Sequence, residues 1–118
     1  MKTIQEIANR LIDLVRKKEF VQAYEELYAD EVVSVDPIYA DQPPLKGLAN
    51  LINREKQFLS RSEIHHIQIS EPIVSGSYFT ISLTMDFSPA DADKKQLGEL
   101  CVYKVGDGKI ISQQFFIG

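Results

Sequence analysis

Glu99-Leu-Cys-Val-Tyr-Lys-Val-Gly-Asp-Gly-Lys-Ile-Ile-Ser-Gln-Gln-Phe-Phe-Ile117 is two runs of β-branched and aromatic residues joined by Gly106-Asp-Gly-Lys109. Asp-Gly accepts the positive φ angles of a tight turn, and between two such runs it signals a β-hairpin. The spacing predicts strands over Glu99–Val105 and Lys109–Ile117.

The period of two extends upstream. Phe79, Ile81, Leu83, Met85 and Phe87 alternate with Thr80, Ser82, Thr84 and Asp86, the pattern of a strand with one buried face. Pro89 to Lys95 reads as a polar turn, and Gly76 as the turn before the strand. His65, Ile67 and Ile69 share one parity of an earlier strand that begins near Glu63.

Further back the period is helical. Ile4, Ile7, Ala8, Leu11, Ile12 and Val15 predict an amphipathic helix over 3–17, opened by a Thr3/Glu6 capping box. Phe20, Ala23, Tyr24, Leu27 and Tyr28 repeat the pattern in a short second helix. Glu31 to Asp36 reads as a strand ended by Pro37, which cannot donate to a ladder. After an Asp41–Pro44 loop, Leu48, Leu51, Ile52, Glu55 and Leu59 predict a third helix starting near Gly47.

Helices grouped ahead of an antiparallel sheet indicate an α+β fold. The expectation is three N-terminal helices packed on a curved, four- to six-stranded antiparallel sheet. It forms a cone with a pocket, a natural ligand site. The 118 residues form one domain, 1–118, without repeats or linkers.

Composition removes several function classes. The formal charge is −4 and the longest basic run is Arg16-Lys17-Lys18, which argues against nucleic acid and against an anionic membrane surface. No apolar run reaches the roughly 20 residues of a membrane span. Charges interrupt the N-terminus where a secretory signal would be apolar. Cys101 is the only cysteine, so no internal disulfide or thiolate metal cluster can form, and a cytoplasmic location is expected. His65 and His66 are adjacent and face opposite ways on a strand, and no third ligand has suitable spacing, so no metal site is expected; the chemistry expected below needs no cofactor.

The pieces Leu27-Tyr-Ala-Asp-Glu-Val-Val-Ser-Val35, Lys46-Gly-Leu48, Ser70-Glu-Pro72 and the closing hairpin together resemble the SnoaL-like domains of the nuclear-transport-factor-like superfamily. The resemblance implies the same cone. The superfamily includes polyketide cyclases, ketosteroid isomerases, dehydratases, limonene-epoxide hydrolases and non-catalytic modules, so fold alone does not select an activity. Asp36-Pro37 resembles the aspartate-proline pair that carries the general base of ketosteroid isomerases. Their two oxyanion donors correspond to about Leu11 and Cys101 here, neither of which can serve, so ketosteroid isomerase activity is not expected.

Asp36 is the first candidate base, for a proton α to a carbonyl, although Asp-Pro reads equally as a strand-end turn. His65 is the second, if its parity carries it inward with Ile67 and Ile69. Glu99, Cys101 and Tyr103 share one strand face and form a candidate ligand wall, with Cys101 favoured as a small core residue. Met85 reads as a core side chain that becomes pocket wall if it lies near the mouth, Tyr39 as a rim residue or part of an ordinary surface loop, and the analogy with the isomerases implies that Gln113 and Phe115 face inside, with Gln114 and Phe116 on the other parity.

The expected function is binding of a small apolar or carbonyl-bearing molecule, with isomerisation, cyclisation or dehydration by proton transfer as the possible chemistry. The alternative is a non-catalytic binding or dimerisation module with a filled cone. A homodimer through the outer sheet face, with Leu100, Val102 and Phe116, accompanies both.

Overall fold

The computed structural model describes residues 1–90 and 92–118. Helix α1 (Ile4–Arg16) starts where both hydrogen bonds of the Thr3/Glu6 capping box close. It buries Ile7, Ala8, Leu11, Ile12, Leu14 and Val15, the expected stripe with Leu14 added and Ile4 only part-buried. Helix α2 (Phe20–Leu27) ends one residue earlier than its apolar pattern suggests, because Tyr28 already belongs to strand β1 (Tyr28–Val35). Pro37 stops β1, and the Asp36 carboxylate accepts from Ile38 N at 3.0 Å to cap a 3-10 turn, Pro37–Tyr39.

Two residues, Leu45–Lys46, form β2 against β1. Gly47 then turns the chain at φ +96°, a conformation that favours glycine, and α3 follows (Leu48–Ser60). The remaining strands are β3 (Ser62–Ile69), β4 (Ile73–Ser75), β5 (Tyr78–Pro89), β6 (Lys95–Gly106) and β7 (Lys109–Ile117). The turn expected over Pro89–Lys95 includes Asp91, which lies outside the described residues.

The strands form one curved, unclosed sheet in the order β2-β1-β7-β6-β5-β3. Strand β4 adds to β5 beyond the end of β3, so the long β5 serves both in succession. Three helices pack on the sheet, the α+β cone expected. Every pairing is antiparallel except β1 with β7, which is parallel. The meander β5-β6-β7 leaves β7 as an open edge, and β1 occupies it by running the same way. That pairing sets Ser34 beside Gln113, a neighbour relation that no local signal in the sequence carries.

On β5 and β6 the inner face follows the predicted alternation, while on β7 a register shift opposite Lys104 and Val105 brings Ile110 and Gln113, of opposite parity, to the same face. Phe79, Ile81 and Leu83 of β5, Cys101, Tyr103 and Val105 of β6, and Ile110 and Gln113 of β7 are buried. They meet Leu11, Leu14 and Val15 of α1, Ala23 and Leu27 of α2 and Leu51 of α3. Strand β3 departs from strict alternation. Ile64 pairs with Phe87 but His66 pairs with Asp86, so His65 is an extra residue in a bulge. The inward positions become Ile64, Ile67 and Ile69.

Candidate functional site

The helices do not fill the cone. Between α1, α2, α3 and the inner sheet face lies a cavity of about 160 Å³. It falls below the roughly 300 Å³ at which pockets for drug-sized ligands begin, and close to the about 150 Å³ of an engineered cavity that admits benzene. A compact ligand fits; a polycyclic one requires the walls to move.

Most of the wall is hydrocarbon and aromatic. Three carboxyl side chains and one guanidinium interrupt it: Asp36, Glu55, Glu99 and Arg54. Asp36 arrives from the end of β1, where Pro37 forces the chain to turn. Arg54 and Glu55 come from the middle of α3, and Glu99 from the inner parity of β6. Burial raises the carboxyl of Glu55 to about 7; Arg54 opposes the rise and Asp36 adds to it. Burial also raises Glu99 to about 7, with the Asp36 and Glu55 charges adding to it. The Cys101 thiol, 3.7 Å from a Glu99 oxygen, opposes that rise slightly.

A polar chain organises the wall where β1, β7 and α2 meet. Tyr28 donates to Gln113 Oε1 at 2.6 Å, and Gln113 Nε2 donates to Ser34 Oγ at 3.0 Å and to Tyr24 Oη at 3.5 Å. Arg54 also reaches Ser34 Oγ, at 3.4 Å, and its guanidinium lies 4.4 Å from the centre of the Tyr39 ring. The Gln113 amide thus has its oxygen and both of its hydrogens engaged, which holds a fully buried polar group without penalty. Tyr103 is 5% exposed, and its hydroxyl makes no hydrogen bond to a side-chain oxygen or nitrogen among the described residues. Burial raises its phenol above the ordinary value, so it remains a proton-bearing donor.

Of the residues singled out in the sequence, Asp36, Tyr39, Met85, Glu99, Tyr103, Gln113 and Phe115 line this cavity together. Two do not. Cys101 is fully buried beneath the wall, and its thiol is pushed well above the usual range by burial. His65 is exposed, with Nε2 2.7 Å from Ser88 Oγ, because the β3 bulge breaks the parity it was expected to share with Ile67 and Ile69. Leu11 stands at the cavity, where a hydrocarbon cannot donate to an oxyanion.

Glu55, Arg54, Tyr24 and Tyr28 were not anticipated as site residues. For Glu55 a signal existed: it is the one carboxylate on the apolar stripe Leu48, Leu51, Ile52, Leu59 of α3. For Tyr24 and Tyr28 the same helical pattern that marked them as core conceals the hydroxyls they bring to Gln113.

A bent sheet covered by three helices around a part-polar cavity defines the cone-shaped α+β class with a nuclear-transport-factor-like fold. Residues 2–117 match the SnoaL-like domain family, and the chain belongs to it. Comparison with curated proteins returns no match. Solved structures share the fold. A Mesorhizobium loti protein provisionally named a SnoaL-like polyketide cyclase is 24% identical, with a TM-score of 0.89 over 98% of this chain and 99% of that one. A Catenulispora acidiphila protein with a ketosteroid isomerase-like fold, in complex with trimethylamine, is 16% identical, with a TM-score of 0.76 over 97% and 86%. A Mycobacterium tuberculosis epoxide hydrolase of the limonene-epoxide-hydrolase type is 14% identical, with a TM-score of 0.73 over 95% and 83%.

Proposed function

We propose that this protein is a cofactor-independent catalyst of proton transfer on a small, compact carbonyl compound bound in the cone, working as a cytoplasmic homodimer. The observation that carries this reading is the convergence of Asp36, Glu55 and Glu99 with the Tyr103 hydroxyl on one apolar cavity. A proton α to a carbonyl is acidified when the carbonyl oxygen accepts a hydrogen bond, and Tyr103 is the donor aimed at it. The Asp36 carboxylate takes the proton. Return of the proton to another carbon gives isomerisation, and the same enolate attacking a second carbonyl gives cyclisation.

Glu55 and Glu99, each held near 7, exchange protons at neutral pH with little driving force lost, the condition for a general acid or base. His65 has no part in this scheme, since it lies outside the cavity. The names of the Mesorhizobium and tuberculosis proteins are in keeping with small-molecule chemistry in this fold, and the trimethylamine of the Catenulispora protein with a ligand of few atoms.

A second reading, binding without chemistry, is favoured by one observation: the Asp36 carboxylate already accepts from Ile38 N and caps a turn. The two readings separate by proton exchange. The α-protons of cyclohexanone are followed by NMR in heavy water near neutral pH. Wild type is expected to accelerate exchange, and Asp36→Asn, which can still cap the turn, to slow it by about a hundredfold or more. Equal rates in wild type, variant and buffer leave only binding.

A further inference from the structure

The charges at the cavity do not balance. Asp36, Glu55 and Glu99 face it with a single cation, Arg54, and that guanidinium is engaged by the Tyr39 ring and Ser34. Among the described residues the ion pairs are Lys2–Glu26, Arg10–Asp13, Arg10–Glu26 and Lys17–Asp13, so none of the three cavity carboxylates is in one. An anionic ligand is repelled by this wall, and a neutral one leaves the carboxylates unpaired in an apolar setting.

The rest of the wall suits a soft cation. Phe58 and Phe87 stand with ring centres 5.6 Å apart, and Tyr103 meets Phe115 edge-on at 6.4 Å. Ring faces attract a positive charge carried on a hydrocarbon, and this attraction grows when water is excluded. Arg54 over Tyr39 is already one such contact at this cavity. Tyr103, a buried residue whose hydroxyl lies beside the Cys101 thiol, brings an oxygen to the same space, able to accept from an N–H or donate to a carbonyl.

We infer that the ligand of this cavity carries a protonated amine on a compact hydrocarbon frame, its nitrogen set among Asp36, Glu55 and Glu99 and its carbon body against the rings. This deepens the reading of the cavity as the ligand site and names the ligand's charge; the proton-transfer chemistry is a separate claim. The volume limits the frame to roughly six to eight non-hydrogen atoms, by comparison with the benzene-sized cavity.

A consequence is proton release. Glu55 faces Arg54 on its own helix, Asp36 beyond β1, and Tyr24 and Tyr28 from α2 and β1; Glu99 faces Asp36, Glu55 and Cys101. The tyrosines and the thiol stay neutral, so the carboxyls titrate. A bound ammonium favours their charged forms, so affinity rises as pH increases through about 7. The amine itself keeps its proton, since an alkylammonium titrates near a lysine, at about 10.

The test is calorimetric titration of the whole chain with cyclohexylamine and with cyclohexanone, which have the same number of non-hydrogen atoms. At pH about 8 the amine is expected to bind at least about tenfold more tightly than the ketone, with the advantage shrinking toward pH 6. Glu55→Gln with Glu99→Gln is expected to remove the advantage. The wild-type pH dependence decides even where those variants fold poorly. A ketone that binds as tightly as the amine, or an amine advantage that survives both substitutions, overturns the inference. If the ketone binds and exchanges its α-protons while the amine gains nothing, the amine inference falls and the proton-transfer reading stands. Amine binding without ketone exchange does the reverse, and binding of neither probe overturns both.

Discussion

Glu55 stands where the helical period calls for a hydrocarbon, and Glu99 where the inner parity of a strand does. Both positions are part-buried, and burial works against charge in both. The effect on stability has a definite sign. Each carboxyl is raised from the ordinary 4.5 to about 7, so the folded state binds more protons than the unfolded chain between those values. The stabilisation is fully present below about 4.5 and is lost as pH rises through about 7. Unfolding midpoints at pH about 5 and about 8 are therefore expected to fall more for wild type than for Glu55→Gln with Glu99→Gln. At pH about 8 the double variant is expected to be more stable, by on the order of 1 kcal/mol per group once partial exposure is discounted. An identical pH dependence in both proteins means that the two carboxyls are not desolvated. Asp36 was legible as a candidate because Asp-Pro is a local motif, and Glu55 was overlooked because a lone carboxylate on a helix looks like a solvated face.

At the scale of elements, most of the chain obeys short-range rules. The closing hairpin turns on Asp107 at φ +51° and Gly108 at φ +74°, two positive values in succession, as the tight turn expected from Asp-Gly demands. A Cβ on residue 108 would stand 2.6 Å from Met1 Cγ. Gly108→Ala is expected to lower stability by about 1 kcal/mol or more, read as a lower urea midpoint with an unchanged slope. An unchanged midpoint means that the turn tolerates another geometry. Departures from expectation lie where pairing overrides propensity. Tyr28 leaves its helical pattern to begin β1, Leu45–Lys46 and Ile73–Ser75 become strands because β1 and β5 offer open edges, and the β3 bulge turns His65 outward.

For the molecule as a whole, the outer sheet face is the open question that function raises. Leu100 and Phe116 are register partners on β6 and β7, 46% and 49% exposed, with Val102 part-buried on the same parity of β6. Large apolar side chains paired in water are costly, and a second copy is the proposed cover. Light scattering at micromolar concentration is expected to give the dimer mass, and Phe116→Lys to give the monomer. A monomer mass for wild type removes the proposal. The periods of 3.6 and 2, the capping box and the Asp-Gly turn are properties of neighbouring residues, so the sequence by itself determined three helices, the main strands, the apolar face of α1 and β5, and part of the cavity wall. The parallel docking of β1 on β7, the bulge at His65 and the meeting of Asp36, Glu55 and Glu99 join residues far apart along the chain. Only tertiary structure decided them, because backbone pairing at sheet edges and burial in a shared cavity depend on distances that no local pattern encodes.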